Sequence, residues 1–277
     1  MNSSYHQKAS LFRQLHQGPP ILVLPNAWDA VSAKIFSKLG FPAIATTSAG
    51  IANCLGYPDG EHIPLDEMLF MVKRIIETID VPVTTDFESG YTDDPQELAQ
   101  TIAAVIGAGA VGINFEDSTA TGELVDIALQ AERIRAIRQA ASSLDADLLI
   151  NARTDAYLLG IGNPEERFPN TVSRARAYRD AGADSIFVPG VTDSKVIESL
   201  IQNIPAPINI LAVANTPPVA VLEKLGVARV SVGSGPARAC ATLARTIGKE
   251  LRETGTYTSF TEGAMNYQEV NSLFLES

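Results

Sequence analysis

With 277 residues, 45% of them hydrophobic, and a net charge of −11, the chain has the composition of a globular protein, and its acidity argues against nucleic acid or anionic membrane surfaces as partners. Two cysteines, Cys54 and Cys240, cannot build the disulfide framework of small secreted domains, and three histidines, none beyond His62, remove histidine-ligated zinc and serine–histidine triads. The first residues carry no apolar signal-peptide stretch, and no segment approaches the ~18 apolar residues of a membrane span, so a reducing cytoplasm is the expected setting.

Residues 5–17 are expected to form an amphipathic helix with Leu11, Phe12 and Leu15 on one face. Eight apolar runs of strand length follow, at 21–24, 43–46, 81–85, 111–115, 148–151, 185–188, 208–212 and 228–232. Helix-like stretches lie between them, at 30–39, 65–78, 95–107, 127–142, 171–181, 194–202 and 217–225, with a last one at 236–254. This alternation predicts a (β/α)8 TIM barrel, and the unbroken hydrophobicity of the runs suits parallel strands covered on both faces. Asp29 and Asp94 read as helix N-caps, whereas Gly40, Gly182 and Gly226 stand just past helix ends. No linker divides residues 1–254, which are expected to form one barrel domain with its short N-terminal helix. Residues 255–277 read as a tail that docks on its own barrel or on a subunit neighbour.

A barrel of this kind carries its chemistry at the carboxyl ends of the strands. The third run releases Asp86 and Glu88 there, and the fourth releases Glu116 and Asp117. Neighbouring strands lie only about 4.8 Å apart, so these carboxylates converge and repel one another unless a cation sits between them. Oxygen ligands of this type suit Mg²⁺ or Mn²⁺. Asp86, Glu88 and Glu116 are therefore candidate metal ligands, while Asp117 either orients a neighbour or binds metal.

Arg153 rises from the buried fifth run, where it either pairs with the acids or grips an anionic substrate. Thr47, Ser48, Ala49 and Gly50 offer hydroxyls and backbone N–H groups to a carboxylate or enolate oxygen. Trp28 after the first run and Asn215 after the seventh complete the candidate substrate-binding set. Gly233-Ser234-Gly235 reads either as a phosphate cup or as a tight turn into the last helix, and Cys54 as a passive loop thiol.

Six motifs occur in one order: Leu24-Pro25-Asn26-Ala27-Trp28-Asp29-Ala30, Thr47-Ser48-Ala49-Gly50, Leu55-Gly56-Tyr57-Pro58-Asp59, Asp86-Phe87-Glu88-Ser89-Gly90-Tyr91, Asn114-Phe115-Glu116-Asp117 and Asn151-Ala152-Arg153-Thr154-Asp155. In this the chain resembles the isocitrate lyase/phosphoenolpyruvate mutase superfamily over nearly its whole length. The resemblance implies Mg²⁺ held directly by Asp86 and through water by Glu88 and Glu116, with an α-oxo or α-hydroxy acid chelating the metal. It further implies that Ser48 to Gly50 and Arg153 contact the substrate carboxylate, that Asp59 lies in a mobile loop near the substrate, and that the chemistry passes through a pyruvate-like enolate. Asp59, Arg153 and Glu116 are the catalytic candidates on this basis. Members are typically tetramers that exchange the last barrel helix, here 236–254, between subunits.

Departures from the pattern narrow the expectation. The Lys-Lys-Cys-Gly-His loop of the isocitrate and 2-methylisocitrate lyases is replaced by Asp117-Ser118-Thr119-Ala120-Thr121-Gly122-Glu123-Leu124, and the Lys-and-Asn gating loop of the phosphonopyruvate enzymes is missing too. Strand 6 ends Phe187-Val188-Pro189-Gly190 without the glutamate of the methylisocitrate lyases. The expected function is a Mg²⁺-dependent lyase that cleaves a C–C bond of a small oxo- or hydroxy-acid, in the manner of an oxaloacetate decarboxylase or a 2-methylisocitrate lyase. P–C chemistry on phosphonopyruvate and a non-catalytic oxo-acid-binding barrel stay open as alternatives.

Overall fold

The computed structural model describes residues 3–119 and 121–275, so Ala120 and the last two residues of the expected tail lie outside the described residues. Nine parallel strands form the centre: β1 (Leu22–Leu24), β2 (Asn26–Ala27), β3 (Ile44–Thr46), β4 (Val83–Asp86), β5 (Gly112–Glu116), β6 (Leu149–Arg153), β7 (Ser185–Phe187), β8 (Ile208–Leu211) and β9 (Arg229–Ser231). They pair in the order β1-β9-β8-β7-β6-β5-β4-β3-β2. Only Pro25 separates β1 from β2, because proline brings no N–H to a ladder. The expected run at 21–24 thus appears as β1, the chain adds β2 beyond Pro25, and the strands form a nearly closed (β/α)8-type barrel.

Twelve helices are described: α1 (Ser3–Leu15), α2 (Ala30–Lys38), α3 (Ser48–Cys54), α4 (Leu65–Thr78), α5 (Leu98–Ala108), α6 (Ile127–Ser143), α7 (Pro164–Asp180), α8 (Ser194–Asn203), α9 (Val219–Leu225), α10 (Gly235–Glu253), α11 (Thr258–Thr261) and α12 (Tyr267–Ser272). Two of them depart from the sequence reading. Residues 48–54, expected as loop, form α3 because extended Thr47 turns its hydroxyl to accept the Gly50 N–H at 3.4 Å. Helix α7 starts at Pro164 rather than at 171, since Asn163 caps it by accepting the Glu166 N–H at 2.9 Å and proline suits the first helical turn. Pro169 lies inside this helix without ending it. Asp29 caps α2 as expected, whereas Asp94 caps only the turn before α5, accepting the Gln96 N–H at 2.8 Å.

The N-terminal helix packs beneath the barrel. Phe12 of α1 is fully buried, and a methyl group added at Gly112 would come within 2.8 Å of its ring. Arg13, one residue on, donates to Asp184 at 2.7 Å and to Asp147 at 3.1 Å, acids that stand one residue before β7 and two residues before β6. The helix is therefore pinned by one aromatic ring and one guanidinium at the amino ends of the strands, opposite the candidate site. Helix α10 is the counter-example, because none of its residues is buried within the chain.

Replacing Phe12 by alanine should lower the free energy of unfolding by about 3–5 kcal/mol, as lost aromatic burial plus a cavity, measured by denaturant titration.

Candidate active site

Strand register decides which side chains meet at the carboxyl end. Asp86 pairs with Asn114, Asn114 with Asn151, Glu116 with Arg153, and Arg153 with Phe187, so residues from four consecutive strands face one space. The resulting cavity measures about 150 Å³ and is lined by Ser48, Asp59, Asp86, Asn114, Arg153 and Phe187, among others. A roomier groove of about 400 Å³, lined by Leu11, Leu15, Val23 and Phe41 among others, runs past the amino ends of the strands and holds no titratable side chain. Chemistry needs the smaller one.

Each acid is held by a different device. Asp86 accepts the Ser48 hydroxyl at 2.8 Å and the Ser48 N–H at 3.3 Å, while its own N–H donates to Thr46 Oγ1 at 3.1 Å. Glu88, only 4% exposed and with φ of 50°, accepts the Glu61 N–H at 2.8 Å and the Tyr91 hydroxyl at 3.3 Å. Glu61 in turn accepts the Tyr91 N–H at 2.9 Å, so the loop after α3 is latched onto the loop after β4. Burial, with repulsion from Asp86, Asp59 and Glu116, pushes the Glu88 carboxyl up to about 8. Asp59 stands at the rim, where partial burial and the charge of Asp86 raise its carboxyl, and the Ser48 hydroxyl reaches it at 3.4 Å.

Glu116 and Arg153 form an ion pair at 2.7 Å, and Arg153 Nε donates to Asp155 at 2.6 Å. Burial raises Glu116 against the pull of Arg153. Ser118 bridges Glu116 and Asp155 at 3.0 and 2.9 Å. The structural pairing of Arg153, one of its two expected roles, is thus present through Nη1 and Nε. Asp117 is withdrawn from the cavity: it accepts the Tyr178 hydroxyl at 2.6 Å, Arg174 at 3.1 Å and the Asp155 N–H at 2.9 Å. Of its two expected roles, the orienting one is realised, because Asp117 sets the backbone on which Asp155 is carried.

Other candidates are separated by the fold. Thr47, Ser48 and Ala49 line the cavity, but Gly50 is buried behind them, since a side chain there would meet Thr47 Cγ2 at 2.6 Å and Trp28 Cβ at 2.8 Å. Trp28 consequently packs beneath α3 rather than into the cavity. Asn215 is exposed on the loop after β8, with φ of 71°, and is not among the lining residues. The Gly233 turn is no open phosphate cup: the Val232 and Gly233 N–H groups each donate to Asn26 Oδ1 at 2.9 Å. Cys54 is exposed and has no ionic partner among the described residues.

Sequence reasoning passed over Glu61, Ser118, Arg229 and the apolar lining residues Leu158, Phe187, Pro189 and Leu211. Phe187 and Leu211 were legible in principle, being two-residue alternates on strands whose inward face is marked by Ser185 and Asn209. Arg229 is fully buried and donates to Asn114 Oδ1 at 3.1 Å, with Nε and Nη1 unpartnered among the described residues. Asn114 Nδ2 then faces Asp86 at 3.5 Å. Among the described residues no three histidine, cysteine or acidic side chains meet as a preformed metal cage.

Without a cation, the native chain keeps the Glu88 proton up to about pH 8, whereas an unfolded glutamate releases it near 4.5. The native state then binds more protons across that window, so stability falls as pH rises through it. Thermal melts of EDTA-treated protein should show Tm decreasing from pH 5 to pH 8, and Glu88→Gln should flatten that slope.

Comparisons with known proteins agree with this architecture. The phosphoenolpyruvate phosphomutase family profile matches residues 12–252. An uncharacterized protein of Mycobacterium tuberculosis is 38% identical over 259 residues, covering 91% of this chain and 95% of that one. The 2-methylisocitrate lyase of Bacillus subtilis is 29% identical over 214 residues, 74% of this chain and 67% of the enzyme. A crystal structure of a protein assigned as a phosphonomutase from Burkholderia cenocepacia superposes with a TM-score of 0.83 at 44% identity, covering 87% of this chain and 99% of that one. The chain therefore belongs to the phosphoenolpyruvate mutase/isocitrate lyase superfamily, a superfamily of lyases and mutases.

Proposed function

We propose that the protein is a Mg²⁺-dependent lyase that cleaves a C–C bond of a small α-oxo or α-hydroxy acid through an enolate. One observation carries this reading: Asp86 lines the cavity, Glu88 and Glu116 line the adjoining pocket of about 60 Å³, Arg153 is paired with Glu116, and burial and repulsion among these acids raise Glu88. Mg²⁺ is a fitting guest because it takes one or two carboxylates and keeps several waters, so a closed protein cage is not required. Mn²⁺ would suit the same oxygens.

Asp86 would hold the ion directly, being fixed by Ser48, and Glu88 and Glu116 would act on its waters. When bound, the ion would serve as a Lewis acid that lowers the energy of negative charge on an enolate oxygen. The chain's own residues supply the rest. Arg153, anchored by Glu116 and Asp155, lines the cavity where a substrate carboxylate would sit. Ser48 and Ala49 line the opposite edge at the start of α3. Asp59 at the rim, with its raised carboxyl, is the group best set to move a proton at the reacting carbon. Phosphonopyruvate chemistry is less well supported, since two N–H groups of the turn after β9, those of Val232 and Gly233, are engaged by Asn26.

The same reading includes a homo-oligomer. Cys240, Leu243, Ala244, Ile247 and Leu251 make one apolar stripe along α10, and Leu243 and Leu251 are 52% and 47% exposed. An amphipathic helix that buries nothing on its own barrel suits exchange with a second copy.

With oxaloacetate as the first substrate tried, pyruvate should form above the metal-only background, stop with EDTA, and fall to that background in Asp86→Ala while the circular dichroism spectrum is retained. Wild-type-like rates in that variant would sink the site assignment. Leu243→Glu combined with Leu251→Glu should convert the oligomer to monomer in analytical ultracentrifugation.

A further inference from the structure

Helix α6 buries two polar side chains, Gln130 and Arg133, whose spacing of three residues puts them side by side on one face. Arg133 is 1% exposed, and its guanidinium pairs with no carboxylate among the described residues. A cation sealed from water without a counter-charge is costly. Its planar fork of donors, however, can reach several oxygens at once. Nη2 donates to the Ser89 carbonyl and to the Thr92 carbonyl, the latter at 2.8 Å, and Nη1 donates to Gln130 Oε1 at 3.1 Å. Gln130 passes the connection on, giving its Nε2 to the Glu116 carbonyl at 2.8 Å.

We infer that Arg133, with Gln130 beside it, is a positioning residue that clamps the backbone of Glu88 and Glu116 from the helix side of the sheet. Within the metal–enolate reading, on which this role rests, the clamp fixes the spacing of the two carboxylates that act on the waters of the ion. A closed ring of hydrogen bonds carries it. The Glu116 N–H donates to the Glu88 carbonyl at 2.9 Å, the Glu116 carbonyl accepts from Gln130, Gln130 accepts from Arg133, and Arg133 donates to the carbonyl of Ser89, next to Glu88.

The segment held in this way is strained, and a strained segment keeps its shape only where its surroundings impose it. Between Glu88 and Tyr91 the backbone turns left-handed at Glu88, Gly90 and Tyr91, with φ of 50°, 99° and 61°. Packing supplies one constraint, because a Cβ added at Gly90 would fall 2.7 Å from Leu98 Cδ2 and 3.0 Å from Phe115 Cε2. Arg133 supplies the other. It takes the carbonyls on either side of Gly90 and Tyr91, and its guanidinium carbon lies 5.0 Å from the centre of the Phe115 ring. Neither a point-like ammonium nor an apolar side chain could hold both carbonyls and the glutamine together.

Mn²⁺ is the probe, titrated into the full chain and followed by the electron paramagnetic resonance signal of the free ion, beside urea unfolding of the metal-free protein. The wild type should bind Mn²⁺, and Asp86→Ala should not. Arg133→Lys keeps the charge and loses the fork, and Gln130→Leu removes the link to Glu116; each should weaken Mn²⁺ binding about tenfold or more. Phe12→Ala, destabilised at the opposite end of the barrel, should bind within about threefold of the wild type. Near-wild-type affinity in either Arg133→Lys or Gln130→Leu would overturn the clamp and leave the metal reading standing. An equal loss in Phe12→Ala would also overturn it, as a general effect of stability. If Arg133→Lys does not fold, Gln130→Leu decides alone. Absence of Asp86-dependent Mn²⁺ binding in the wild type would overturn the metal reading and the clamp with it.

Discussion

Buried negative charge is the constraint on which this structure turns. Asp86, Glu88, Glu116 and Asp155 are gathered at one end of the barrel, and the cost of keeping them out of water is met by specific partners. Ser48 and Thr46 hold Asp86, Glu61 and Tyr91 hold Glu88, and Arg153 with Ser118 ties Glu116 to Asp155. Beneath them Arg229 offers a fully buried guanidinium whose only hydrogen-bond partner among the described residues is Asn114, itself turned toward Asp86. An unpaired buried cation is costly on its own. Under a cluster of carboxylates it becomes a fixed counter-charge.

The fold follows from ordinary packing around that polar end. Strands buried on both faces supply the cylinder, and α1 closes its far end with Phe12 and Arg13. Function is thereby confined to the loops, and those loops are tied to one another. Glu61, Glu88 and Tyr91 link two of them directly, and Ser118 joins a third to Asp155. The side chains that could do chemistry are thus held by neighbours before any ligand arrives, as preorganised electrostatics requires.

Strand positions and the acids at their carboxyl ends were legible in the sequence because each is a local signal: an apolar run followed by a charged residue. Asp86 and Arg153 line one cavity at the carboxyl ends of the strands, and Glu88 and Glu116 line the smaller pocket beside it. What was not legible depends on which face a residue takes or on which distant partner it finds. Trp28 and Asn215 sit at strand ends in sequence, yet one packs under an unforeseen helix and the other points to solvent. Helix α3 was hidden because Ser-Ala-Gly reads as loop material until Thr47 is seen to cap it. Asp117 could be read two ways until Tyr178 and Arg174, some sixty residues later in the chain, were seen to claim it.

The interruption at Pro25 has an effect on the shape of the mouth. Strand β2 meets β3 through only two residue pairs, and β1 meets β9 through three. Across the gap it is the Asn26 side chain that joins both neighbours, giving its Nδ2 to the Thr46 carbonyl at 2.7 Å and taking the Val232 and Gly233 N–H groups on Oδ1. The hoop at the carboxyl end of the strands is therefore fastened, on the side of β9, by a carboxamide clasp in place of backbone rungs. Its girth there is set by the length and the donor–acceptor polarity of a single amide, which aspartate would lose on one side and glutamine would overshoot.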